Sequence, residues 1–305
     1  MSQPENAIVV AVGVDGAPAA IRFAVEAARR AHTSVHLVHV VQLTSVDAYA
    51  GISGVALGAG DAALTRAAAT ARELGAPDVP VTVERVDNGR LVADLLQRAD
   101  ESLLVVLQHR RLSRLHRLVT GSTVNAIAAR ATVPVVSVPE DWRPGVAAPL
   151  VTAAVQDGGE AVGLLRHAFE QARIMGADLD VLHAWWLTNG FEIEVVDQDF
   201  RQEWESRSRH ELAPALDPLH VAFPDVSVDV LVRHAAPADA ILECATTSAL
   251  LVLGRRHHRL PWGTHLGPVA RAVLDRSPCP VMMVPEDDSR TGTETSTANA
   301  VAAGS

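Results

Sequence analysis

Lysine is absent from this chain of 305 residues, and all 26 basic residues are arginine. A phosphate-binding loop of the Walker type uses a lysine to reach the phosphates, so that motif is excluded in its usual form. Acidic residues number 36, which gives a formal net charge of −10. A general nucleic-acid-binding protein is normally basic, so this charge argues against nucleic acid as a partner.

Long apolar runs are also missing, because no stretch approaches the roughly 20 residues that a membrane-spanning helix needs. The first ten residues lack the basic start and apolar stretch of a signal peptide. Cysteine is represented only by Cys244 and Cys279, which are too few for a disulfide framework. Neither has an evident cationic neighbour, so we interpret both as reduced and buried. These absences predict a cytoplasmic protein without a membrane partner.

What the chain does contain is a repeated order of apolar and amphipathic segments. Leu250–Val284 reads as an apolar strand, a loop rich in Arg, His and Gly, a short helix and a second apolar strand. Leu103–Val138 has the same order. Asp15 precedes Asp157 by 142 positions, and the closing strands of the two halves are offset by 146. So small a drift indicates two homologous units.

Strands that alternate with helices are typical of a parallel sheet covered on both faces. We therefore predict two tandem doubly wound α/β domains, flavodoxin-like or Rossmann-like, each with a five-stranded, mostly parallel sheet and helices on both faces. The closing apolar strands, Val135–Val138 and Val281–Val284, are expected to pair edge to edge. The predicted bounds are 1–140 for the first domain, 141–149 for a linker, 150–287 for the second domain and 288–305 for a disordered tail.

Glycine and proline mark where the predicted elements end. The Gly-rich stretch Ala50–Gly60 predicts a loop, followed by a helix over Asp61–Leu74 that Gly75 stops. A further helix is predicted over Ser122–Arg130, directly after Gly121. Ligands of doubly wound sheets bind beyond the carboxyl ends of the strands. The site is therefore expected at the ends of the first and second strands and at the Arg/His-rich loop.

Both halves resemble the universal stress protein family. The matching features are Val14-Asp15-Gly16 after the first strand, LVHVV at Leu37–Val41, VPVVSVPED at Val133–Asp141 and CPVMMVPED at Cys279–Asp287. The resemblance covers about residues 7–140 and 150–287. It implies a tandem member that binds ATP or AMP, with magnesium only where ATP is bound. It also implies a regulatory role in stress or dormancy rather than an enzyme, and a dimer or tandem pseudo-dimer.

Family members that bind ATP carry Gly-x2-Gly-x9-Gly-Ser/Thr after the fourth strand and an aspartate after the first. In the second half, Gly254 and Gly267 stand at the first and third glycines of this motif. His257 replaces the second glycine, and Pro268 replaces the Ser/Thr. This departure weakens the expectation of phosphate binding there, because proline lacks an amide donor.

In the first half, Leu107 and Arg110 replace the two leading glycines, but the end of the motif survives as Gly121-Ser122-Thr123. Bare amides at a helix N-terminus attract anions, and the two hydroxyls can donate to phosphate oxygens. The alternative is that Ser122 and Thr123 simply cap the helix. Neither half has the complete motif.

The other candidate contacts lie at strand ends. Asp15 and Asp157 match the family aspartate, which would accept hydrogen bonds from the ribose or the adenine edge; alternatively, each caps the following helix. Val40 and Ala184 match the position whose backbone meets adenine in the family. The predicted nucleotide-binding set is therefore Asp15, Val40, Arg110, Gly121, Ser122, Thr123, Asp157, Ala184, Gly254 and Gly267.

The loops after the fourth strand of each half are rich in arginine, Arg110 among them. Because the arginine fork binds phosphate well, one hypothesis is that side-chain charge replaces the missing glycines. The other is that the loops are solvated surface. The sequence thus favours a regulatory module with weak or selective adenine-nucleotide binding. The alternatives are an interaction scaffold with an unknown protein partner and a slow ATPase. No spacing predicts a catalytic residue or a metal ligand.

Overall fold

The computed structural model describes residues 4, 6–42, 53–75, 77–87, 89–109, 117–145, 149–156, 161–186, 198–255 and 266–285. The strands in this part of the chain are β1 (Ala7–Ala11), β2 (Val35–Val40), β3 (Val81–Val86), β4 (Ser102–His109), β5 (Val135–Pro139), β6 (Leu150–Val155), β7 (Asp178–Trp185), β8 (Val228–His234), β9 (Leu250–Gly254) and β10 (Val281–Val284). The helices are α1 (Pro18–Ala31), α2 (Ser53–Gly75), α3 (Leu91–Ala99), α4 (Arg117–Ala128), α5 (Val162–Met175), α6 (Gln198–Ala222), α7 (Pro237–Cys244) and α8 (Pro268–Arg276).

These strands form one sheet in the order β3-β2-β1-β4-β5-β10-β9-β6-β7-β8. Every neighbouring pair is parallel except β5 and β10, which run antiparallel with Met282 opposite Val136. The sheet is therefore two five-stranded parallel units of the predicted doubly wound type, joined through their closing strands. The predicted edge-to-edge pairing is confirmed. It removes two apolar edges that would otherwise be exposed to other chains.

Two apolar cores cover the faces of the sheet, and both continue across the junction. On one face, α1, α2, α5 and α6 pack over a core that includes Val136 and Met282. On the other, α3, α4, α7 and α8 pack over a core that includes Val135 and Val281. Burying each such side chain contributes about 1.5–3 kcal/mol, so the halves are held together by the same burial that holds each one. Among the described helices, none is both long and apolar enough to cross a bilayer.

Two helices begin earlier than the sequence predicts. The stretch Ala50–Gly60 was expected to be a loop, but α2 already begins at Ser53. Gly60 lies inside that helix and close to the sheet, where an added Cβ would be 2.7 Å from Cδ2 of His39. Glycine here permits close helix packing rather than a turn. Likewise, α4 begins at Arg117 rather than Ser122, because one glycine weakens a helix by only about 1 kcal/mol without ending it.

The first residues of the predicted linker pack against the first half. Trp142 packs edge-on against Phe23 of α1, with ring centroids 5.8 Å apart. Its backbone N–H donates to the Pro139 carbonyl at 3.1 Å. The predicted tail, 288–305, lies outside the described residues. The domain bounds given above stay predictions.

Candidate functional site

The strand order reverses in each half between β1 and β4 and between β6 and β9, which is where a doubly wound sheet forms its crevice. From β1 the chain crosses one face of the sheet through α1 to reach β2, whereas it returns from β3 to β4 through α3 on the other face. The helices therefore diverge above the carboxyl ends of β1 and β4. This is the position at which open α/β sheets bind ligands.

Asp15 lies at the tip of a tight turn at the rim of the first crevice. Gly13 and Gly16 form an isolated antiparallel bridge, and the Gly16 N–H donates to the Gly13 carbonyl at 2.9 Å. Gly16 has φ 83°, a backbone conformation that favours glycine. Arg66 of α2 donates to the Val14 carbonyl at 3.1 Å. The turn thus holds an exposed carboxylate at a fixed place beyond β1.

The N-terminus of α1 is satisfied by a side chain from another strand. Its N-cap residue is Ala17, which makes no side-chain cap, so Asp15 is not the N-cap residue. Instead, Oε1 of Gln108 accepts hydrogen bonds from the N–H groups of Ala19 at 2.9 Å and Ala20 at 3.4 Å. A helix N-terminus leaves its first amides without intrahelical partners, and this carboxamide supplies one.

Sheet register places Gln108 at the position that Gly254 holds in the second half. Gln108 pairs with Val138 in β5, and Gly254 pairs with Val284, its counterpart in β10. The sequence comparison had set Leu107 against Gly254, which is one residue off. Among the described residues, a Cβ added to Gly254 would meet Leu164 alone, at 3.7 Å, whereas the same position in the first half carries a carboxamide.

Val40 in β2 and Ala184 in β7 lie just beyond the last residues that pair with the central strands β1 and β6. The β1–β2 ladder ends at Val38, and the β6–β7 ladder ends at His183. Towards the outside, both residues are still paired, Val40 with Val86 and Ala184 with a residue of β8. On the crevice side, the strands therefore continue past the ladder, which is the geometry that a backbone contact to a ligand requires.

Two histidines at these strand ends differ in their partners. Nδ1 of His39 is 2.7 Å from the carbonyl oxygen of Val12, which ties β2 to the end of β1. The equivalent His183 has a buried Nδ1 with no hydrogen-bond partner among the described residues. Neither histidine is among the residues that the sequence predicts to bind a ligand.

The predicted phosphate elements are placed differently in the two halves. Because α4 starts at Arg117, the backbone amides of Gly121, Ser122 and Thr123 lie inside a helix rather than in its bare first turn. In the second half, Gly267 is the N-cap of α8, with φ −61° and ψ 162° and no side-chain cap. The position of Gly267 is therefore as predicted, whereas the helix-start reading of Gly121-Ser122-Thr123 is wrong. Arg110 and Asp157 lie outside the described residues.

Arg255, the first arginine of the loop after β9, makes a hydrogen bond across the junction between the two halves. Its Nη1 donates to the Ala131 carbonyl, just after α4, at 2.7 Å, and its backbone N–H donates to the Val284 carbonyl at 2.8 Å. A cation at a helix C-terminus stabilises the unpaired carbonyls there. At least this arginine therefore joins the halves, which neither hypothesis for the loops had foreseen.

A polar network lies on the outer strands of the first half, away from the crevice. The buried His36 has Nδ1 2.8 Å from Oγ1 of Thr82 and Nε2 3.1 Å from Oε2 of Glu84. Arg98 of α3 donates to the same carboxylate through Nε at 2.8 Å and through Nη2. Hydrogen bonds from Arg98 hold the pKa of Glu84 below its usual value, and the bond from His36 acts in the same direction.

The second half carries acidic groups at the corresponding place. Burial raises the pKa of Asp180, and the charge of Asp229 directly opposite raises it further. Both cysteines are free; Cys279 is buried and Cys244 half-buried, where burial raises the pKa of its thiol. In the described ranges, no group of three His, Cys, Asp or Glu side chains is arranged to hold a metal ion.

Comparison with known proteins gives matches in both halves. The model of the universal stress protein family matches residues 6–139 and 151–285. Universal stress protein Rv1996 of Mycobacterium tuberculosis is 31% identical over 214 residues, which cover 66% of this chain and 65% of the relative. Universal stress protein Mb2019 of Mycobacterium bovis gives the same values. The aligned region therefore spans slightly less than two thirds of these relatives.

Solved structures share the arrangement of the whole chain. A universal stress protein from Archaeoglobus fulgidus superposes with a TM-score of 0.66 at 16% identity, covering 93% of this chain and 97% of that one. The functionally unknown protein PA1789 from Pseudomonas aeruginosa superposes with a TM-score of 0.60 at 20% identity, covering 93% and 94%. At such low identity these structures show the fold alone.

Proposed function

Because the chain belongs to the universal stress protein family, we propose that it is a regulatory module of a stress or dormancy response that binds adenine nucleotide weakly or selectively. The observation that carries this proposal is the glycine-bounded turn that holds Asp15 beyond β1, where the strand order reverses between β1 and β4. A fixed carboxylate can accept hydrogen bonds from a ribose or an adenine amino group, and the backbone beside it has no strand partner on that side.

In the first half, we assign the ribose or adenine contact to Asp15 and the backbone contact to Val40. Arg110 and the hydroxyls of Ser122 and Thr123 would then contact phosphate through side chains, since the helix amides at Gly121 and beyond have intrahelical partners. This arrangement favours AMP over ATP, because a glycine-poor loop offers a triphosphate fewer backbone donors. Magnesium is required only if ATP binds.

In the second half, the corresponding set is Asp157, Ala184, Gly254 and Gly267. Gly254 is exposed, and Gly267 stands at the start of α8 without a side-chain cap, although Pro268 removes one amide donor. The proposal for this half rests on backbone access instead of on arginine side chains. The two halves are therefore expected to differ in affinity.

A second candidate is an interaction scaffold of the same fold that binds no nucleotide. Gln108 favours it, because its side-chain oxygen already accepts hydrogen bonds from the amides at the start of α1, next to the first crevice. Those amides are then not free to bind a phosphate. In that case the loops after β4 and β9 would face a protein partner or a second copy of this chain. A slow ATPase is the third alternative, and magnesium-dependent turnover above that of a site variant would support it.

Isothermal titration with ATP, AMP and cyclic AMP tests the proposal. Wild type, Asp15→Ala and Asp157→Ala are compared with Asp78→Ala, which removes an exposed carboxylate from the turn before β3. We expect heat with at least one nucleotide, a loss of affinity of about tenfold in the variant of the binding half, and no change in Asp78→Ala. No heat with any of the three nucleotides would reject nucleotide binding and leave the scaffold.

A further inference from the structure

A cavity of about 330 Å³ lies at the carboxyl ends of β7 and β8, outward from the crevice between β6 and β9. Its volume is at the lower end of the range of small-ligand sites, about 300–1,000 Å³. None of the residues proposed to bind nucleotide lines it. The lining residues are Trp185, Glu205, Val232, Arg233, His234, Ala235, Ala240 and Glu243.

Two of the lining residues, Trp185 and His234, belong to a group of four aromatic rings in contact. Trp204 of α6 lies 5.0 Å from Trp185, and Trp185 lies 4.1 Å from His234, between ring centroids. Trp186 stacks on His234 at 5.5 Å with an interplanar angle of 21°. Trp185 and His234 thus each pack against two other rings, which holds this wall of the cavity in place before any ligand arrives.

In the first half, α2 packs closely against the sheet near the corresponding place, where a Cβ added to Gly60 would be 2.7 Å from the ring of His39. In the second half, Trp204 of α6 packs instead against Trp185 at the end of β7.

One polar atom in this wall lacks a partner. Nε2 of His234 is buried and has no hydrogen-bond partner among the described residues. An unsatisfied buried polar atom costs about 1–3 kcal/mol. A neutral imidazole nitrogen can accept a hydrogen bond, so a ligand N–H group would recover that cost.

The charged side chains around the cavity favour a cation. Glu205 comes from α6 and Glu243 from α7, so carboxylates approach from both faces of the sheet. Glu205 also accepts a hydrogen bond from Arg209 at 2.7 Å, on the exposed surface. Among the described residues of the lining, Arg233 is the one with a guanidinium, and its charge also acts on the carboxylate of Asp180. This part of the lining therefore has two carboxylates and one guanidinium.

We propose that this cavity binds a small organic ammonium ion. Its N–H group donates to Nε2 of His234, the carboxylates of Glu205 and Glu243 balance its charge, and its hydrocarbon part packs against Trp185 and Val232. A neutral alcohol of the same shape gains the apolar contact but not the charge-assisted bonds, which are the stronger ones. Binding at this site is separate from adenine-nucleotide binding and does not depend on it.

Butane-1,4-diamine is the probe, and butane-1,4-diol is its neutral counterpart. Titrations are followed by tryptophan fluorescence at pH 8, where the amines are charged. Trp185 lines the cavity, and two more of the five tryptophans contact the lining rings, so occupancy should change the emission. We expect saturation with the diamine and at least tenfold weaker binding of the diol. Equal responses to both, or none to the diamine, would overturn the proposal.

Variants separate the site from general attraction to an acidic protein. His234→Phe keeps a ring in the wall but removes the acceptor, and Glu243→Gln removes an exposed charge with little risk to folding. Each should weaken diamine binding at least fivefold, whereas Glu203→Gln, an exposed position of α6 that does not line the cavity, should bind as wild type. If Glu203→Gln weakens binding as much as Glu243→Gln, the attraction is general and the site is rejected. Glu243→Gln decides the outcome if His234→Phe does not fold.

Discussion

Replacing Gln108 with alanine should destabilise the fold by about 1–2 kcal/mol. The bond to the Ala19 N–H, at 2.9 Å, has ordinary length, whereas the one to Ala20, at 3.4 Å, is long. One full cap and a weak second bond are therefore lost. Removing an N-cap costs about 1 kcal/mol, and leaving a part-buried amide unpaired adds up to about 1 kcal/mol. For a chain of this length, that corresponds to a fall in Tm of about 2–3 °C.

Urea unfolding followed by tryptophan fluorescence measures this change. Trp142 packs against Phe23 of α1, so its emission reports on the helix that Gln108 caps. Gln97→Ala is the matched control, because Gln97 is exposed on α3. It should stay within about 0.5 kcal/mol of wild type. Gln108→Glu keeps the acceptor and adds a negative charge at a helix N-terminus, so at pH 7 it should be at least as stable as wild type. If the two alanine variants unfold at the same urea concentration, Gln108 does not cap α1.

Two further changes can be followed by the same unfolding assay. Because Arg98 lowers the pKa of Glu84, that carboxylate stabilises the fold above its unfolded pKa, near 4.3, and this contribution is lost as the pH falls through the lowered pKa of the folded state. Glu84→Gln should remove this part of the acid sensitivity and cost at most about 1 kcal/mol at pH 7; an unchanged difference between pH 7 and pH 3.5 would contradict it. In α2, Gly58→Ala should stabilise by about 0.5–1 kcal/mol, since the added methyl meets nothing within 4 Å. Gly60→Ala should destabilise by about 1–3 kcal/mol, because its methyl would lie 2.7 Å from the ring of His39, and equal effects of the two would refute this packing.

The nucleotide site could be predicted only in part, and the failures have a local cause. The place of Gly267 follows from its spacing, because a glycine before proline at a helix start is a property of the local chain. The start of α4 does not, since helix ends depend on tertiary packing as well as on local propensity. Gln108 gave no signal at all: 88 or 89 residues separate it from the amides that it caps.

The sequence by itself determined the doubly wound fold, the repeat and the pairing of the two halves. Those follow from continuous apolar strands such as β1, which are stable only when both faces are covered, and from closing strands whose edges need a partner. Only the tertiary structure decided how the two halves differ. It placed the Gln108 carboxamide where the other half has Gly254, and it formed a cavity beside Trp185 in the second half, whereas α2 of the first half packs closely on the sheet at Gly60. Strand periodicity is a pattern among neighbouring residues. These contacts join residues that are far apart in the chain, so no local pattern predicts them.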